Sequence, residues 1–316
     1  MEKNERNSFR AWIHRLNLDD SLEVMIEVHT YVTEAAFVLI RLHGNDPSDK
    51  PINHDANLLL QMTALKSISL KPMSVPKDYK VSADGTMVRG INDPFGMMCL
   101  VRSQMEAFCT FNNMFINSDS DSERQMKYDL WVLAGLKYRQ RFPVKLPEHL
   151  TKKDKEAKEI DDIQEAIKLS DIYIALGDEG KKTIDYLIKS KEWKFLRNSD
   201  NIKSRQWHEA LTDSGANDML EQKYTFLSLG SHPSNVSVFQ FGQMFVEQQH
   251  KPTARMALLY STIFMSFFIR DYVVHFNLRD THFKNLPLKN QMLVNWYNRA
   301  FRGKDYQVND ALSLLD

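Results

Sequence analysis

The sequence predicts an all-α fold, a multi-helix bundle of roughly eight to ten helices with a minor β-hairpin near residues 79–90. Three observations predict it. Gly and Pro are scarce, 11 and 10 in 316 residues, too few for the many turns of an all-β chain. Apolar residues recur at helical spacing over long runs. The large side chains, 15 Met and 18 Phe among them, suit a core packed between helices, with Met filling irregular gaps.

The first apolar stripe lies within residues 19–43: Leu22, Met25, Ile26, His29, Val32, Phe37 and Ile40. Asp19 or Asp20 can cap this helix, and Gly44 can end it. His29 falls on the apolar face and is expected as a core histidine bonded to a neighbour. A second, short helix is expected over Asp55–Leu70, stopped by Pro72. Residues 71–93 then break the pattern. Two prolines precede short alternating segments around Asp84-Gly85, which signals a hairpin.

Asp93-Pro94 opens the next helix, with Asp as N-cap and Pro in the first turn. It runs to Ile116 with apolar positions so dense that burial nearly all round is expected. Arg102 and Glu106 stand out there as charges one turn apart. Another helix is expected over Ser122–Phe142, after a capping-prone run of Ser and Asp. Residues 143–169 combine a Pro-flanked break with a charge-rich run, read as a connector helix. It separates an N-terminal half with a hairpin insertion (1–142) from a C-terminal half (170–316), the two packed as one compact unit because each apolar helix needs a partner. Short helices are expected over Glu179–Leu196 and Lys203–Leu211, with the rest of Asn198–Asn217 irregular. A helical pattern then reaches Leu229, where Gly230 and Pro233 stop it. A long apolar helix follows over Thr253–Phe276, and a last one over Pro287–Phe301.

Composition excludes several classes. Forty-one acidic side chains balance 41 Lys+Arg, so there is no global attraction for nucleic acid or anionic lipid, and either would need a local patch. A content of 43% hydrophobic and 26% charged residues argues against disorder. The charged start, MEKNERNSFRAW, lacks the apolar core of a signal peptide. The most hydrophobic stretch, Met256–Phe268, is about 13 residues where a membrane span needs roughly 20. It is closed by Arg255 and Arg270 and reads as a core helix. Cys99 and Cys109 are ten residues apart on one expected helix, ~15 Å along its axis, too far to bridge. A reducing, cytoplasmic location is the default expectation, without a membrane partner. Neither a metal nor a cofactor is expected. The sequence has no HExxH and no P-loop, no G-x-S-x-G and no Cys/His cluster of zinc spacing. Glu247-x-x-His250 lacks the second copy that a di-iron bundle needs.

Three constellations can carry chemistry. In Tyr224-x-x-x-Ser228-x-x-x-His232-Pro233-Ser234, Tyr224 and Ser228 share a helix face, and His232 stands where that face ends. The helix dipole there favours a protonated imidazole; the alternative is a histidine that merely closes the helix against the next loop. In Arg270-Asp271-Tyr272-Val273-Val274-His275, a guanidinium can grip a phosphate by its fork. An imidazole can serve as general acid or base on a ribose hydroxyl or leaving oxygen, which suffices for metal-free RNA cleavage. The alternative has both side chains snorkelling outward from a core helix. The pair Arg102 and Glu106 either locks the register of the bundle or lines a polar cavity opposite His232.

The helix segment Arg102-Ser103-Gln104-Met105-Glu106-Ala107, followed about 120 residues later by Tyr224-x-x-Leu227-Ser228-x-x-x-His232-Pro233-Ser234, resembles an uncharacterised family of all-helical bacterial proteins. That family is distantly similar to the HEPN helical bundles. Many of those are RNases of toxin and phage-defence systems that carry R-x4–6-H and act as dimers. The resemblance implies an RNA or nucleotide partner, a homodimer as candidate assembly, and a catalytic histidine with an arginine beside it. No arginine precedes His232 at that spacing: either Arg270 to His275, the literal match, is the motif, or His232 recruits Arg102 from another helix, or the chain is not a nuclease. Two functions therefore stand open: a HEPN-like metal-independent RNase or nucleotide-processing effector, and a non-catalytic interaction or sensor protein in which the Ser-x-x-x-His-Pro-Ser segment is structural.

Overall fold

The computed structural model describes residues 11–12, 19, 21–43, 50–199, 201–247 and 249–302. The expected cap at Asp20 and stop at Gly44 lie outside them. The fold is all-α with minor β structure: among the described residues the strands form two separate two-stranded antiparallel hairpins. The chain divides into two compact units, one of residues 1–109 and 215–316, the other of residues 110–214.

The first unit is built round one apolar helix. In chain order it holds α1 (Leu22–His43), α2 (Pro51–Ser74), a hairpin of β1 (Lys77–Lys80) and β2 (Met87–Ile91), and α3 (Pro94–Phe111), whose last two residues belong to the second unit. The central helix, His250–His275, is buried along most of its length and packs against α1, α2 and the last helix, Leu288–Ala300. It is 26 residues long, enough to cross a membrane, but 83% of its most apolar window is buried within the fold. That burial is what marks it as a core helix. Phe108 and Phe267 meet in this core at 5.4 Å between ring centres.

Local chemistry explains the starts and stops. Asp93 accepts the Gly96 amide at 2.9 Å and Pro94 opens α3, as the sequence predicts. Pro72 does not stop α2, which continues to Ser74. In the last turn the proline forfeits a single bond, to the carbonyl of Ile68, a residue that is itself exposed. The first hairpin turns at Gly85, whose φ of 74° is the left-handed value a side chain resists. Asp84 accepts the Thr86 amide there at 2.9 Å.

The second unit holds the end of α3, a π-helical turn at Asn112–Ile116, α4 (Asp121–Arg139), α5 (Pro147–Leu169), α6 (Asp171–Ala175), α7 (Asp178–Lys189), a hairpin of β3 (Phe195–Asn198) and β4 (Asn201–Ser204), and α8 (Trp207–Asp213). The helix expected to run to Ile116 thus changes winding after Phe111. The π turn spreads its carbonyls, and the buried Lys127 ammonium occupies the opening. It donates to the carbonyls of Asn113 (3.0 Å) and Asn117 (2.6 Å) and pairs with Glu123 at 2.8 Å. The polar interval near Asn198, expected to be irregular, is the β3–β4 hairpin, with Ser199 at φ 57° in its turn.

The chain returns to the first unit with α9 (Asp218–Glu221), α10 (Lys223–Ser228), a 3-10 turn at Leu229–Ser231, α11 (Asn235–Val246), the central α12 (His250–His275), a 3-10 turn at Phe283–Asn285, and α13 (Leu288–Ala300). Where one helix up to Leu229 was expected, two short helices and a 3-10 turn stand. Gly230 is required at that turn because a Cβ would sit 2.7 Å from the Phe95 carbonyl oxygen.

Candidate functional site

Both histidine-bearing constellations lie in the first unit. In the first, Arg102 and Glu106 form an i,i+4 ion pair on α3, Nε to Oε1 at 3.0 Å, with side chains 21% and 28% exposed. The second edge of the guanidinium reaches across to α10, where Arg102 Nη2 donates to the Tyr224 hydroxyl at 2.8 Å. The cation is therefore matched by a carboxylate and a phenol. Beside it, Lys66 Nζ donates to Ser103 Oγ at 2.7 Å, and partial burial lowers its pKa while Glu106 raises it.

Ser228 and His232 do not join this cluster. The Ser228 hydroxyl turns back to donate to the Tyr224 carbonyl at 2.6 Å. His232 is exposed, and no side-chain hydrogen bond of its ring occurs among the described residues. Its carbonyl accepts from the Ser237 hydroxyl (2.6 Å) and the Ser234 amide (2.8 Å), while Ser234 accepts the Ser237 amide at 3.2 Å as N-cap of α11. The polar groups of the Ser-x-x-x-His-Pro-Ser segment thus end one helix and start the next.

The second constellation occupies the C-terminal end of α12. Arg270 is half-buried, its guanidinium over the Phe283 ring at 5.2 Å. It makes no hydrogen bond or ion pair among the described residues. Burial holds its pKa below the usual arginine range; Arg279 and Arg299 add to that, Asp271 opposes it, and Arg302 contributes less. Arg302 and Asp271 are matched to each other by two bonds of 2.6 and 2.8 Å. Arg270 is thus a desolvated cation among cations, an arrangement that favours an incoming anion. His275 lies five residues on, about 7.5 Å along the helix and about 140° around it. Its ring sits edge-on to Phe276 with centres 4.5 Å apart. No hydrogen bond joins Arg270 to His275.

Sequence reasoning singled out Arg270 and His275 but not Arg279, Arg299 and Arg302, whose charges act on Arg270 in the fold. Among the described residues no group of three or more His, Cys, Asp and Glu could hold a metal ion. Neither Cys99 nor Cys109 is in a disulfide. No protein-family model matches the chain, and neither a curated protein nor a solved structure matches it.

Proposed function

We propose that the protein is a HEPN-like, metal-independent endoribonuclease, a cytoplasmic effector of the toxin or phage-defence type, with its chemistry at Arg270 and His275. The observation that supports this reading is the unpaired, half-buried Arg270 guanidinium with Arg279 and Arg299 around it and an imidazole on the same helix. In this reading Arg270 binds the scissile phosphate and meets the charge that builds on its oxygens. His275 takes the proton as the ribose 2′-oxygen attacks phosphorus. The bond from phosphorus to the 5′-oxygen breaks and that oxygen takes a proton from water, leaving a 2′,3′-cyclic phosphate and a 5′-hydroxyl. A homodimer that brings two such pairs together belongs to the same proposal. The neutral net charge confines RNA to this local patch.

End-labelled RNA incubated with the purified protein in EDTA tests it. Cleavage to cyclic-phosphate ends is expected, reduced about a hundredfold or more by His275→Ala and by Arg270→Ala, and unchanged by His232→Ala. Loss of cleavage in His232→Ala alone would move the chemistry to the other constellation. Absence of cleavage across a broad RNA panel would favour a non-catalytic interaction protein. Two observations support that second reading: the Ser228 and Ser234 hydroxyls and the His232 carbonyl are engaged in local structure, and the neighbouring α11 leaves Val238, Phe239 and Phe241 exposed.

A further inference from the structure

A cavity of about 270 Å³ lies between α1, α12 and α13, away from Arg270 and His275. Its walls are apolar and aromatic: Met25 and Val28 from α1, Leu259 from α12, and Trp296, Tyr297 and Phe301 at the end of α13. The Tyr297 and Phe301 rings lie nearly parallel, 6° between planes and 6.2 Å between centres. One cation lines this cavity, Arg255 of α12. Its Nε is buried and without a hydrogen-bond partner, and the guanidinium makes no ion pair among the described residues.

The Arg255 guanidinium lines a space large enough for a ligand, while its Nε is sealed from that space by the surrounding atoms. Asp19 also lines the cavity and accepts the Ser21 amide at 2.9 Å at the start of α1. Burial pushes the Tyr297 phenol up to about 12 despite the nearby Arg255, so that phenol stays neutral at physiological pH. The two terminal Nη nitrogens match the two oxygens of a carboxylate. Aromatic walls match a flat ring, and the volume sits near the lower limit of small-molecule pockets.

We propose that this cavity binds a small planar aromatic carboxylate, with the carboxylate on the Arg255 fork and the ring against Tyr297, Phe301 and Trp296. The site is separate from the Arg270 cluster and does not depend on the nuclease reading. An occupied cavity joins α1 to α12 and α13 through one molecule, so the ligand stabilises the first unit by mass action.

The test is calorimetric titration of the full chain with indole-3-acetate and with its neutral isostere indole-3-acetamide, beside thermal melting with each. The carboxylate is expected to bind at least about tenfold tighter than the amide, since a charge-assisted pair replaces a neutral one. Arg255→Gln is expected to remove that preference while leaving amide binding unchanged. Leu259→Trp, which fills the cavity from its wall, is expected to abolish both. Equal binding of the two probes to the native chain overturns the proposal, as does an unaltered preference in Arg255→Gln or no binding of either at millimolar concentration. Should Arg255→Gln fail to fold, the two-probe comparison in the native chain and the loss in Leu259→Trp still decide it.

Discussion

His29 Nε2 lies 3.0 Å from Ser261 Oγ in the interior of the first unit, and both side chains are almost fully buried. The contact extends into a line of polar groups. Ser261 approaches Ser67 at 3.4 Å, and Ser67 accepts from Gln104, which also donates to the Thr63 carbonyl. The imidazole is neutral in the fold: burial, and then Lys71, lower its pKa from 6.5 to about 4.

The unfolded chain binds a proton at His29 as pH falls through about 6.5, whereas the folded chain does so only near 4. The native state therefore keeps this contribution above about 6.5 and loses it progressively down to about 4, by about 3 kcal/mol in all. Urea midpoints measured between pH 7 and 4 are expected to fall for the native chain. The fall is expected to be shallower in His29→Gln, which has no proton to gain. Parallel slopes in the two proteins contradict the assignment.

Lys127 and Glu123 form an ion pair sealed from solvent in the second unit. Burial lowers the Lys127 pKa, and Glu123 works against that shift. Removing one charge leaves the other buried and unmatched, so Lys127→Met is expected to destabilise by about 3–5 kcal/mol. The double variant Lys127→Met/Glu123→Leu is expected to lose less than the sum of its single changes. Denaturant unfolding of all four proteins closes the cycle.

Gly230→Ala places a methyl group against the Phe95 carbonyl, and backbone cannot swing aside as a flexible side chain does. A loss of about 1–3 kcal/mol is expected, read as a lower melting temperature with unchanged helical content by circular dichroism.

Ser234→Ala removes the N-cap of α11 and is expected to cost about 1 kcal/mol. RNA cleavage, where present, is expected to persist in this variant. A variant that keeps its stability but loses cleavage would falsify the assignment of this segment to structure alone.

The helical class was legible because scarce Gly and Pro and long apolar stripes admit little else. Asp93 and Ser120 announced their helices through side chains that do accept amide hydrogens three residues on. Other features depend on context that no local pattern carries. Pro72 reads as a stop because the cost of its missing N–H depends on which carbonyl is left, and that one belongs to an exposed residue. The β3–β4 turn lacks a glycine, so Ser199 at positive φ gives no signal. Gly230 and Pro233 ended the pattern before α11, although Ser234 restarts it. Arg255 read as the charged flank of an apolar run. The cavity it lines is completed by α1 and α13, which lie far from it in the chain.

The first unit is assembled from both flanks of the chain, with residues 110–214 between them, and this orders events during synthesis. As the chain leaves the ribosome, α1, α2 and α3 emerge with their apolar faces ready. The helix they pack against begins only at His250. Roughly 140 further residues must be made before it appears, on the order of ten seconds of translation. The contiguous second unit is complete in the meantime. The sheltering of nascent α1 and α2 faces, not the packing of the finished protein, therefore sets the interval in which this chain is most exposed to aggregation.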